Sequence, residues 1–262
     1  MAGAQPAFAA TVHDPDGALL PAIARHTAGF ERYRGVYVCA TEQTDRRVAT
    51  ALESCGATVE WQPAGVPGHG RRRVVELALK YAHPSVLYVD LDRWLHWAAT
   101  FPDELQGLPE RIAADEPEAW YVCLGRTPRA FGTHPEVQRV AERATSRALE
   151  VVIGRPVDAT AGGSWLSREA AELIVACSTE RTMGTDLEWP ALVWRQDPDR
   201  LGVIEVEGLE FETAAFAVEA IAATGGLDAW IEQTYQTPGM WRQRLQLAAD
   251  SVAALERVLA VR

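Results

Sequence analysis

Four short apolar runs divide the first third of the chain, and their spacing constrains the fold more than any other feature. They are AFAATVH (7–13), GVYVCA (35–40), Ala57 to Gln62, and SVLYV (85–89). Each is a strand-length run rich in β-branched or aromatic residues. Helical patterns fill the gaps, from Leu19 to Tyr33, from a cap at Thr44 or Asp45 to Ser54, and from Arg71 to Ala82. In the last of these Val74, Val75, Ala78, Leu79 and Ala82 share one side. Strand and helix alternating this closely predict an α/β fold, a mostly parallel sheet flanked by helices. Ligands of such sheets bind beyond the carboxyl ends of the strands.

The second half is less regular. Trp97 to Asp115 reads as helix interrupted by Pro102 and Pro109, Trp120 to Leu124 as a strand, and Pro135 to Leu149 as a helix. VDATAGGSWLSREAAELIVA (157–176) reads as a strand, a Gly-Gly loop and a helix capped by Ser167. TDLEWPALVWR (185–195) is a short helix, with Pro190 tolerable if it falls in the first turn. Gly202 to Val206 is a last strand. Residues 214–262 form a C-terminal helical segment broken at Gly225-Gly226 and Pro238-Gly239.

Composition removes several function classes. The formal charge of −11 disfavours nucleic acid and anionic membrane surfaces. Lys80 is the single lysine, so neither a P-loop nor a lysine-centred chemistry has its residue beside a motif. Cys39, Cys55, Cys123 and Cys177 form no CxxC pair and read as free thiols of a reducing cytoplasm. The amino terminus lacks the basic start of a signal peptide, and no apolar run is long enough to span a membrane.

The chemistry-bearing residues cluster at strand ends. Asp90 and Asp92 follow the fourth strand directly. Carboxylates at i and i+2 can share a divalent cation such as Mg2+ or Mn2+, which would neutralise a diphosphate; the alternative is that they cap the next turn. GHGRRR places Arg71, Arg72 and Arg73 at a helix start, where anions are favoured. ATAGGSW (159–165) puts Gly163 and Trp165 on a loop, with the indole free to stack on a sugar or else packed in the core. In TDLEWP, Asp186 and Glu188 are candidate general bases, Asp186 alternatively an N-cap. His13 follows the first strand and can line the same crevice, while the other histidines show no zinc spacing.

The order of these motifs resembles the GT-A glycosyltransferases, close to glycosyltransferase family 2. AATVHDPDG, VYVCATEQTD, GVPGHGRRR and VLYVDLD resemble that family's first turn, nucleoside loop, Gly-rich loop with its helix arginine, and DxD strand end. TAGGSWLSREAAELI, GTDLEWPALVWR and LGVIEVEG resemble its downstream elements in the same order, over about residues 8–212. The resemblance implies a catalytic domain over 1–213, with a nucleotide-binding half to about 95 and an acceptor half from 96, followed by an extension over 214–262. It implies Asp90 and Asp92 as the metal pair, Asp92 being the direct ligand. Thr41 and Asp45, with His13, Arg72 and Asp90, would hold the nucleotide, and Asp186 would be the base. Gly163, Trp165, Glu188 and Trp189 would lie near the acceptor or sugar. Three departures stand out. Thr41 or Ala40 replaces the acidic residue that often reads uracil, Thr185 stands where Glu is common, and no histidine follows His134 to complete a metal shell. Glu212 or water would take that last place.

The expected function is therefore a cytoplasmic, Mn2+- or Mg2+-dependent transfer of a sugar from a nucleotide-diphosphate sugar to a hydroxyl of a small molecule or glycan. The partners are that donor and acceptor, with no nucleic acid or membrane, and with a possible second copy of the chain against the C-terminal helices. A sugar nucleotidyltransferase fits less well, because DPDG is no GxGxR loop and Lys80 is remote. A haloacid-dehalogenase-like phosphatase wants a hydroxyl two residues past the second Asp, where Trp94 stands. A non-catalytic sugar-nucleotide binder of the same fold is the rival from another class.

Overall fold

The computed structural model describes residues 5–81 and 83–260. One seven-stranded sheet runs through it in the order β3-β2-β1-β4-β6-β5-β7. The strands are β1 (Ala7–Val12), β2 (Val36–Thr41), β3 (Thr58–Gln62), β4 (Ser85–Val89), β5 (Tyr121–Arg126), β6 (Gly163–Ser167) and β7 (Leu201–Val206). All pairings are parallel except those of β6, which runs antiparallel to both β4 and β5. The chain order at the centre, 2-1-4, brings the carboxyl ends of β1, β2 and β4 side by side, which is where a crevice opens in a sheet of this kind.

Each sheet face carries its own core. Phe8, Val38, Leu87, Val122 and Ile204 point to one side, and Ala9, Cys39, Tyr88, Cys123 and Leu201 to the other. This is the period-two alternation of a sheet covered on both faces. On the first side Trp94 is the hub. Its ring centroid lies 5.2 Å from that of Phe8 and 4.8 Å from that of Phe30, and its Nε1 donates to the Tyr33 hydroxyl at 2.8 Å. Trp94 belongs to the helix Leu91–Thr100, which starts directly after Asp90. Anchoring its indole fixes how that helix leaves β4, and so aims the two aspartates.

Several local expectations shift. The first helix stops at His26 and continues as a 3-10 helix over Thr27–Arg32. The third begins at Pro67, so half of the expected loop 63–70 is its first turn, with proline where its missing N–H costs nothing. It ends at Leu79, and Ala82 lies outside the described residues. The strand expected ahead of Gly162-Gly163 is loop, and the strand begins at Gly163. Trp165 therefore sits mid-strand between Leu87 and Val122, packed against the core, and not on a loop facing a sugar. Pro190 falls in the second turn of Thr185–Gln196. Pro238-Gly239 opens the last helix, Pro238–Ala260, instead of breaking one. That helix packs on Glu136–Ile153 and Thr185–Gln196; Val261 and Arg262, included in the expected helical segment, are outside the described residues.

Replacing the Trp94 hub is expected to destabilise the protein by about 3–5 kcal/mol, since Trp94→Ala leaves a cavity and an unpartnered Tyr33 hydroxyl. Urea denaturation followed by circular dichroism checks this.

Candidate active site

A cleft with two chambers lies beyond the ends of β1, β2 and β4. One chamber, about 330 Å3, is bordered by Asp14, Arg71, Asp90, Asp92, Met183 and Phe216 among others. The second, about 340 Å3, is bordered by Thr41, Gln43, Gln62, Val66 and Pro67. Thr11, Val12, His13 and Pro67 line both, so the two are continuous.

Asp90 does not cap the helix that follows it. Thr11 Oγ1 donates to its Oδ1 at 2.8 Å, the Tyr88 hydroxyl donates to the same oxygen, and Arg71 Nη2 donates to Oδ2 at 3.0 Å. Burial opposes its charge, but the Arg71 and Arg93 guanidiniums and the two hydroxyls outweigh it and hold Asp90 below the usual carboxylate range. With its oxygens so engaged, Asp90 is an organiser more than a free ligand. Its neighbourhood also demands Gly162, whose φ of +72° suits glycine and where a Cβ would come within 3.0 Å of Asp90 Oδ2. Sequence reasoning pointed to Gly163, but that residue lies in β6 against Leu209.

Asp92 is differently placed. Among the described residues its one hydrogen bond comes from the backbone N–H of Arg93, at 2.9 Å. Burial, then the Glu212 and Asp90 charges, push its carboxyl up to about 7. Glu212 is buried, and its Oε2 has no hydrogen-bond partner among the described residues. Its other oxygen lies 3.9 Å from Arg93 Nη2. Asp90, Asp92, Asp186 and Glu212 share this region with Arg71 and Arg93, and the Arg244 guanidinium also faces Glu212. Among the described residues no group of three or more His, Cys, Asp or Glu side chains is placed to hold a metal ion, so a cation here would have at most two such ligands. The donor set still fits a hard divalent cation that keeps positions for phosphate oxygens or water. Asp92 and Glu212 are the residues that would hold it.

Arg71, not Arg72, is the helix arginine of the cleft. Its side chain is 3% exposed, donates through Nη1 to Thr185 Oγ1 at 3.1 Å and to Asp186, and reaches Asp90 through Nη2. Because the helix starts at Pro67, Arg71 shares a face with Val74, Val75 and Ala78 at i+3, i+4 and i+7, all buried. Arg72 turns away to the Glu180 carbonyl at 3.1 Å. The i, i+3, i+4, i+7 spacing was the available signal for Arg71.

The other expected residues divide clearly. His13 Nδ1 lies 2.8 Å from Thr41 Oγ1, which lies 3.0 Å from Thr44 Oγ1, and that hydroxyl donates to the Val12 carbonyl. The chain runs one way if His13 carries its proton on Nδ1, leaving Nε2 as an acceptor. His13 and Thr41 both line the cleft. Asp45 does not; it caps the helix Arg46–Ser54 and pairs with Arg47. Asp186 lies in the first turn of its helix, not at the cap, and pairs with Arg71 while its side chain keeps 12% exposure. Burial, with the Asp90 charge, raises its proton affinity despite Arg71. Glu188 is consumed by Ser178 and by the backbone N–H groups of Thr179 and Glu180. Trp189 is buried edge-on against Tyr88 and donates to Ser178. Glu188 and Trp189 therefore hold the loop before Thr185 and face no acceptor.

A second buried guanidinium fixes the far rim. Arg126, at the end of β5, pairs with Asp158 and Glu142 at 2.7 Å each. Beside it His134 Nε2 donates to the Leu209 carbonyl at 3.2 Å, and burial together with the Arg126 charge lowers its pKa to about 2.

No family model matches the sequence, and no curated protein sequence matches it. Solved structures do match. Glucosyl-3-phosphoglycerate synthase of M. tuberculosis superposes with a TM-score of 0.59 at 13% identity, covering 100% of this chain and 82% of that one. The same enzyme in complex with Mn2+, UDP-glucose and phosphoglyceric acid gives 0.56 at 15% identity, over 100% and 81%. Its UDP complex gives 0.53 at 14%, over 96% and 81%. The chain has the GT-A fold. The mostly parallel sheet expected from the strand and helix alternation is present, as is the crevice at its switch point. No helix among the described residues is long and apolar enough to cross a membrane.

Two predictions follow from the buried charges. Arg71→Ala strands Asp90 and Asp186 and is expected to cost about 3–5 kcal/mol, whereas Arg72→Ala costs about 1 kcal/mol or less; urea titrations of both variants decide it. His134 has a folded pKa far below that of the unfolded chain, so the unfolded state binds more protons below pH ~6.5. Stability therefore falls with acidification from about pH 6.5 downward, by up to ~1.4 kcal/mol per pH unit, and His134→Gln removes that component. Chemical denaturation across pH 4 to 8 would show both slopes.

Proposed function

We propose that this protein transfers a sugar from a nucleotide-diphosphate sugar to a hydroxyl acceptor, using Mn2+ or Mg2+. The observation that carries the reading is the cleft itself. A chamber bordered by Asp90 and Asp92, the latter beside the charge of buried Glu212, adjoins a chamber whose lining carries no Asp, Glu, Lys or Arg. A nucleoside diphosphate has two matching parts, a diphosphate that travels with a cation and a neutral base with its ribose. Support comes from the glucosyl-3-phosphoglycerate synthase structures, which share the fold and include complexes with Mn2+, UDP-glucose and phosphoglyceric acid. The four free thiols favour a reducing compartment, and we assign the chain to the cytoplasm.

A bound divalent cation would supply positive charge for the leaving diphosphate. The protein's own residues do the rest. Asp92, with Glu212 near it, would hold the cation, while Asp90, fixed by Thr11, Tyr88 and Arg71, keeps the strand end rigid. The acceptor oxygen bonds to the anomeric carbon as the bond from that carbon to the diphosphate breaks, the electron pair leaving on the diphosphate. We assign the acceptor's proton to Asp186, whose raised proton affinity suits a base. Residues 1–213 form the catalytic unit on this reading, and Phe216 of the following extension adds to the cleft wall.

Calorimetric titration of UDP and GDP, each with and without Mn2+, tests the reading on wild type and Asp92→Ala. Metal-dependent binding of one nucleotide, lost in the variant, is expected. With donor and acceptor, Asp186→Asn should lower kcat by about 10²–10⁴ while leaving nucleotide binding in place. Tight nucleotide binding with no turnover on any acceptor would make the protein a sugar-nucleotide binder instead.

A further inference from the structure

The neutral chamber contains a polar group that the fold leaves unused. Gln62, the last residue of β3, pairs in register with Thr41 of β2, so the two side chains stand on one sheet face. Gln62 is 5% exposed and lines the chamber. Its Oε1 is buried with no hydrogen-bond partner among the described residues. Buried amides are normally satisfied, so an orphaned one at a pocket wall calls for a missing partner. The amide is also held in place. It packs against Gly70 in the Pro67–Leu79 helix so closely that a Cβ there would lie 2.0 Å from Gln62 Nε2. A glycine at this helical position gives the amide its seat.

The rest of the lining narrows the ligand. Val12, Ala64, Val66 and Pro67 supply apolar walls, and Thr41 and His13 supply hydroxyl and imidazole, with no charged side chain. A flat neutral heterocycle with hydrogen-bonding edges fits this; a phosphate or carboxylate does not. The charged chamber next door takes the anionic part. An amide offers one donor and one acceptor side by side, which is how it pairs with the edge of a nucleobase.

We infer that Gln62, seated against Gly70, reads the nucleobase of the donor and sets which nucleotide the protein accepts. The inference rests on the nucleotide-sugar reading of the cleft and adds to it the residue that discriminates among bases.

The test titrates UDP, GDP, ADP, CDP and inorganic pyrophosphate, all with Mn2+, into wild type, Gln62→Met and Gly70→Ala. Met keeps the volume and removes the hydrogen bonds; Ala at 70 keeps the amide but displaces it. Wild type is expected to prefer one base by about ten-fold or more. Both variants should bind that nucleotide no better than the others, while pyrophosphate affinity stays unchanged and circular dichroism shows an intact fold. A preference that survives in Gln62→Met, or a wild type that binds all four nucleotides alike, overturns the inference and leaves the nucleotide-sugar reading standing. A wild type that binds neither nucleotides nor pyrophosphate overturns that reading itself, and the role of Gln62 with it.

Discussion

One guanidinium ties the candidate site together. Arg71 reaches Asp90 at the end of β4 and Asp186 on the helix Thr185–Gln196, and its side chain is almost entirely buried. Desolvating a cation is costly, and two carboxylates close around it make the arrangement tolerable. The converse also holds: neither aspartate is tolerable there without the arginine. The first and second halves of the chain thus meet at a point where each supplies what the other lacks. The geometry depends on a helix that starts at Pro67, on Trp94 fixing the exit of β4, and on Gly162 letting the backbone pass against Asp90.

The distribution of buried charge separates scaffold from site. At Arg126 the accounts of charge and hydrogen bonding close, with Asp158, Glu142 and Thr160 around the guanidinium. Glu188 is likewise satisfied by Ser178 and two backbone N–H groups. These are structural uses of polar groups, and they leave nothing for a ligand. Around Asp92, Glu212 and Gln62 the balance fails. Two carboxylates repel, and a carboxylate oxygen and an amide oxygen lack partners. Other buried polar atoms, Gln138 Oε1, Trp97 Nε1 and His134 Nδ1 among them, also lack partners among the described residues; what sets Asp92 and Gln62 apart is that they line a cleft that a ligand can enter.

Much of the fold was legible in the chain. The first four strands fall within a residue or so of their expected limits, because buried parallel strands are short apolar runs bounded by turns. Asp45 and Ser167 cap their helices as their side-chain chemistry suggests. The site was less legible. Arg71 and Arg72 are neighbours of one type, and what separates them is that Arg71 shares the buried face of Val74, Val75 and Ala78. Trp165 and Trp189 looked like sugar-stacking residues, yet their large apolar surface is used in packing. Glu188 stands two residues past Asp186 in the same helix start and serves a loop.

By itself the sequence determined the α/β alternation, the placing of Asp90 and Asp92 at a strand end, and the absence of lysine-based chemistry. These follow from local pattern and composition, which act over a few residues. Tertiary structure decided that Arg71 meets both Asp90 and Asp186, that Glu212 stands by Asp92 across nearly half the chain, and that Gln62 lies against Gly70 and lines a pocket. Those depend on burial and on contacts between distant segments. Whether a polar side chain is satisfied or left waiting is set by its neighbours in space, and a single sequence does not list them.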